Sequence, residues 1–172
     1  MKYWILSVLL LTISCNTFAN EPAPPLPSGS ANWLDGKPLQ WNGLKGKVVL
    51  LNVWTFECWN SYRSLPWITS LQQKFPDLQI IGIHSPEFER EKNRNSLREA
   101  MTSYKVNYPQ VLDDDHDYWN QLNNRYWPAF YIVDKAGKIR GKFAGETHPG
   151  DSQAEHIEEL IDRLMKENLV AY

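Results

Sequence analysis

Cysteine is scarce in this chain, with only Cys15 and Cys58 among 172 residues. Two thiols exclude a disulfide-stapled framework, so the fold has to rest on an ordinary apolar core. Charge of one sign is also missing. Eighteen basic residues stand against 20 acidic ones, a formal net charge of -2, and neither sign forms a dense run. That balance excludes the electrostatic footprint of a nucleic-acid binder. His84, His116, His148 and His156 fall at unrelated spacings and make no ligand pattern with Cys58, so no metal is expected. No cofactor motif is visible, and the eight tryptophans read as packing residues.

The chain opens on what reads as a targeting segment. Lys2 precedes an apolar run over Tyr3–Ile13, too short to span a bilayer, and Thr17-Phe18-Ala19 offers the small residues of a cleavage site. This predicts a signal peptide over residues 1–19 and a periplasmic or secreted protein. Two alternatives stay open: an uncleaved N-terminal anchor, and a lipoprotein anchored through Cys15. Cleavage after Ala19 leaves Cys58 as the single thiol in a compartment where disulfides persist. Residues 20–32, with Pro22, Pro24, Pro25 and Pro27, read as an extended, solvated linker. Residues 33–172 then form one domain.

Val48–Trp54 is a continuous β-prone apolar run, expected of a central strand covered on both faces. Leu65, Ile68, Leu71 and Phe75 recur at helical intervals after Cys58, and Pro66 should kink that helix. Leu78–His84 is a second buried strand, completing a βαβ unit. Ser96-Leu97-Arg98-Glu99 reads as a capping box for a helix with Leu97, Met101 and Tyr104 on one face. Residues 113–124 are polar and predict a short helix with loops. Ala129–Val133 and Ile139–Phe143 form a hairpin about the turn at 134–138, and Ser152-Gln153-Ala154-Glu155 caps a last helix, with Ser152 as the cap, carrying Ile157, Leu160, Ile161 and Leu164. The fold class is α/β: βαβ, an inserted helix, then ββα.

Cys58 falls where the central strand feeds a helix, the place where reactive groups collect in open α/β sheets. A thiol at a helix N-terminus is expected to react as thiolate. Glu57 beside it works against this, because a neighbouring carboxylate disfavours a second anion.

The segment Asn52–Pro66, which contains Trp54-Thr55-Phe56-Glu57-Cys58-Trp59-Asn60-Ser61, resembles the active-site segment of thioredoxin-like proteins related to TlpA. It is most similar to the periplasmic C-terminal domain of DipZ-type proteins. Ile81–Phe88 and Tyr126–Tyr131 extend the likeness in the same order. The resemblance implies a thioredoxin fold, thiol–disulfide exchange, Cys58 as nucleophile and Pro128 as the cis-proline facing it. Trp59, Asn60 and Trp127 would then border the substrate. Ser61 departs from the pattern, standing where the family has its resolving cysteine. Asn52 occupies a position where many thioredoxins carry an aspartate thought to assist that second cysteine.

The expected function is therefore monothiol exchange, with Cys58 forming mixed disulfides with a protein disulfide or a low-molecular-weight thiol. A membrane-bound redox partner and a dimer linked through Cys58 belong to the same expectation. The alternative is a non-catalytic binding or chaperone-like module. A third reading, a peroxidase, rests on Thr55-Phe56-Glu57-Cys58, which resembles the T-x-x-C of peroxiredoxins.

Overall fold

A computed structural model describes residues 21–168. The signal peptide, its cleavage point after Ala19 and Cys15 lie outside the described residues. Among the described residues six strands form one sheet: β1 (Glu21–Pro22), β2 (Val49–Trp54), β3 (Gln79–His84), β4 (Gln110–Leu112), β5 (Ala129–Val133) and β6 (Lys138–Ala144). Their spatial order is β1-β6-β5-β2-β3-β4. β2 runs parallel to β3 and β3 parallel to β4, while β5 lies antiparallel to both β2 and β6. The helices are α1 (Trp41–Leu44), α2 (Trp59–Lys74), α3 (Arg94–Tyr104), α4 (Asp117–Gln121) and α5 (Ser152–Lys166).

The period-2 alternation of β2 divides the core between the two faces of the sheet. Leu50 and Trp54 join Ile68, Leu71, Ile157 and Ile161 from α2 and α5 on one face. Val49, Leu51 and Val53 meet Leu26, Trp33, Tyr118 and Leu122 on the other. Each aliphatic side chain buried this completely contributes about 1.5–3 kcal/mol. β2 is buried along its whole length, which is why its sequence is apolar almost throughout. α2 continues through Pro66 as one helix.

Three expectations are corrected. The segment expected as a solvated linker over residues 20–32 is packed from Glu21, the first described residue: Glu21 pairs with Ile139 and Pro22 with Lys138 of β6, and Ala23 and Leu26 are buried. Proline has no N–H to give, but its carbonyl still accepts. Trp41 Nε1 donates to Pro24 O at 2.7 Å, Tyr118 OH to the same oxygen at 3.1 Å, and Trp33 Nε1 to Pro27 O at 2.8 Å. A proline-containing strand of this kind belongs at a sheet edge, and β1 is the edge.

The other two concern caps. α3 starts at Arg94, not Ser96, because the Asn93 side chain accepts from Asn95 N and Ser96 N. α5 is capped by Asp151, which accepts from Ala154 N, one residue before the expected cap. Among the described residues no helix is long and apolar enough to cross a membrane.

Candidate active site

β2 ends at Trp54 and α2 begins at Trp59, so Cys58 is the N-cap of a 16-residue helix. Its backbone is extended, with φ -77° and ψ 114°, and no side chain caps the helix from this position. The N–H groups of the first turn have no intrahelical partners, which leaves this helix end polar and electropositive. The half-buried sulfur lies 4.0 Å from Trp127 O. The Trp127–Pro128 peptide bond is cis, and Pro128 O accepts from Gly145 N at 2.9 Å. Strand-to-helix junction and proline loop thus meet at the sulfur.

Ser61 sits one turn into α2, almost fully buried, and its hydroxyl has no hydrogen-bond partner among the described residues. Asn52, buried on β2, donates through Nδ2 to Tyr108 OH at 3.0 Å, while its Oδ1 is unpartnered among the described residues. Trp59 is 65% exposed and Asn60 is exposed as well. Trp127 is half-buried. Its Nε1 donates to Ser85 O at 2.9 Å and its ring packs on Trp119 at 4.3 Å. The part of Trp127 beside the sulfur is its backbone carbonyl. Tyr126, at 62% exposure, is the open aromatic of that loop.

Glu57 does not confront the sulfur as an unpaired charge. Arg90 Nε donates to both of its carboxylate oxygens at 2.8 Å, and this contact holds the Glu57 carboxyl below the usual range. Arg90 is largely solvated and Glu57 partly so, and an ion pair open to water adds little stability. Its effect is to offset a charge next to Cys58.

Glu91 escaped the sequence reading. It is fully buried and gathers two loops around one carboxylate. Oε1 accepts from Glu57 N at 3.1 Å and from the Thr55 hydroxyl; Oε2 accepts from Glu87 N and Phe88 N, each at 2.8 Å. A buried carboxylate without its hydrogen bonds would be costly, and here backbone donors supply them. The legible signal was an acid three residues after Phe88, in the capping-box position of a short 3-10 turn. Asp113 plays a similar part on the proline side. It accepts from the Ser85 hydroxyl at 2.6 Å, Tyr118 N at 2.8 Å and Trp119 N at 3.0 Å, and burial pushes its carboxyl up. It thereby sets α4, and with it Trp119, against Trp127.

His84, at the end of β3 opposite Trp54, lies behind the Cys58 loop. It stacks on Phe56 at 5.5 Å and meets Trp54 edge-on at 5.9 Å, with both ring nitrogens buried and unpartnered among the described residues. Desolvation lowers its pKa to about 4. Among the described residues no cluster of three or more His, Cys, Asp or Glu side chains could hold a metal ion.

Residues 22–142 match the AhpC/TSA family. DipZ of Mycobacterium tuberculosis is 36% identical over 159 residues, which is 90% of this chain and 21% of DipZ. Thiol-disulfide oxidoreductase YkuV of Bacillus subtilis is 25% identical over 148 residues, 86% of this chain and 96% of YkuV. A thiol-disulfide isomerase from Corynebacterium glutamicum superposes with a TM-score of 0.70 over 85% of this chain and 98% of its own, at 20% identity. That last likeness is one of fold. The chain spans 12% to 21% of the length of several long curated relatives it matches. By sequence and by architecture, this chain belongs to the AhpC/TSA family and carries the thioredoxin fold.

Proposed function

We propose that this protein is an exported thiol–disulfide exchange protein of monothiol type, with Cys58 as nucleophile and no resolving thiol at position 61. Cys58 thiolate attacks a disulfide of a protein or of a low-molecular-weight thiol. The substrate S–S bond breaks, a bond to Cys58 forms, and the displaced sulfur leaves as thiolate. An external thiol then attacks the partner sulfur of the mixed disulfide, and Cys58 departs as thiolate. Each step exchanges one disulfide for another, so no further oxidant is needed.

The observation that carries this reading is the position of Cys58: head of α2, half-buried, 4.0 Å from Trp127 O. The hydroxyl of Ser61 stands where a second sulfur would act. Pro128 would align the substrate backbone, with Trp59 and Asn60 along its path. The DipZ and YkuV relatives support the reaction class. Thr55 speaks against the peroxidase reading, because its hydroxyl donates to Glu91.

The test is the rate at which Cys58 reacts with a small aromatic disulfide, with Cys58→Ser as background. A rate above that of a free cysteine peptide is expected. An equal or lower rate overturns nucleophilic exchange and favours the non-catalytic binding module, for which Cys58→Ala would leave partner binding intact.

A further inference from the structure

Tyr62 N donates to Cys58 O at 3.0 Å, so the two residues lie one helical turn apart on one face of α2. That face is aromatic and open. Trp59, 65% exposed, tilts against Tyr62 with ring centroids 5.3 Å apart, and Tyr62, itself 39% exposed, reaches Tyr104 of α3 at 4.7 Å. The row of rings leads into a groove of about 500 Å3 between α2 and α3, whose walls include Tyr62, Pro66 and Tyr104 together with Arg63, Lys105 and His148. Large aromatic side chains left this exposed around a cavity mark an interaction surface.

The charge of the groove is positive at one point. Arg63 and His148 both engage Glu146. Lys105 is exposed at the left-handed end of α3, with φ 58°, and has no ion-pair partner among the described residues. Geometry sets the reach. At about 1.5 Å per helical residue, Pro66 lies roughly 12 Å along α2 from Cys58. An extended chain covers that distance in about four residues.

Building on the proposed role of Cys58, we propose that this groove selects the polypeptide that Cys58 attacks. Its occupant is an extended segment with an aromatic or large aliphatic side chain about four residues from its own cysteine. That side chain enters the groove beside Pro66, past the paired rings of Tyr62 and Tyr104, and an adjacent carboxylate meets Lys105. The groove thus gives sequence preference to a site whose chemistry alone has none.

Peptides carrying a cysteine activated as its 2-pyridyl disulfide test this directly. Cys58 attacks the peptide sulfur, a mixed disulfide forms, and pyridine-2-thione is released and read by absorbance. Each peptide has Phe-Glu or Ser-Gln four residues before or after the cysteine, and every rate is divided by that for 2,2′-dipyridyl disulfide. In one of the two orientations the Phe-Glu peptide is expected to react about tenfold faster than its Ser-Gln counterpart, a difference within the range of one buried aromatic side chain. Tyr62→Ser and Lys105→Glu, both at exposed positions, are expected to reduce that ratio. Ratios within about twofold in both orientations overturn the proposal, given that a tenfold change corresponds to 1.4 kcal/mol. If the chain instead forms only a Cys58-linked homodimer in the presence of the peptides, the groove belongs to a second copy and the proposal also falls. A Cys58 unreactive towards dipyridyl disulfide defeats the exchange reading alone. The groove is then judged by titrating cysteine-to-serine peptides, where the Phe-Glu form must still bind more tightly.

Discussion

On the proposed monothiol reading, Ser61 decides whether this site can turn over without help. A buried hydroxyl with no hydrogen-bond partner, which is the state of Ser61 among the described residues, costs about 1–3 kcal/mol, so replacing it by a less polar thiol should be well tolerated. Ser61→Cys is expected to yield a disulfide between Cys58 and the introduced thiol, seen as an intact mass lower by two hydrogens than the reduced form. It should also raise thiol-driven reduction of a protein disulfide by about tenfold or more, because resolution becomes intramolecular. His84, stacked on Phe56 before Cys58, gives a pH signature. Its folded pKa of about 4 lies below the ordinary value of 6.5, so between these values the unfolded chain binds more protons than the folded one. Stability is therefore complete above about pH 6.5 and falls as the pH drops towards 4, by on the order of 3 kcal/mol. Chemical denaturation at a series of pH values should show this slope, and His84→Phe, which keeps a ring against Phe56, should flatten it. The placement of Cys58 and Ser61 at the head of α2 was legible because a buried strand feeding a helix is a local pattern. Glu91 was not, since its partners Thr55, Glu57, Glu87 and Phe88 come from two loops that only the fold brings together.

At the level of elements, the proline-rich edge shows where composition misleads. Counting prolines registers missing N–H donors and overlooks the carbonyls, two of which accept from tryptophan indoles. Trp41→Phe keeps an aromatic ring and removes the donor to Pro24 O, and should lower stability by about 1 kcal/mol in denaturant titration. With Tyr118→Phe, which removes the second donor to the same oxygen, the losses should not add, because the two donors share one acceptor. β4 was unread for a related reason: it is three residues long and begins with a buried glutamine. Gln110 accepts from Trp54 Nε1 at 2.8 Å and donates to Tyr108 O at 3.0 Å. It lies so close over Gly82 that a Cβ there would stand 2.0 Å from its Oε1. Gly82→Ala should displace Gln110, break its bond to Trp54 and destabilise the protein by about 2–3 kcal/mol, measured by denaturant titration. By contrast β2, β3, β5 and the faces of α2 and α5 were readable, because buried strands and amphipathic helices write their burial into a regular period.

For the whole molecule, one sheet brings the head of α2, the loop after β3 and the proline loop before β5 to the same end, although they lie far apart in sequence. Two apolar layers hold that sheet from either side. What the arrangement leaves open at this end is the Cys58 thiol bordered by aromatic surface; on the proposed reading, Ser61 takes the place of the second thiol that would release what Cys58 binds. A site of that kind should be found holding its partner. The most direct measurement is the mass of the mature protein taken from its native compartment under acid quench without reductant, followed by mapping of the peptide containing Cys58. The expected result is a polypeptide or low-molecular-weight thiol joined to Cys58 by a disulfide and released by reductant. A Cys58 found as free thiol throughout the population would contradict monothiol exchange.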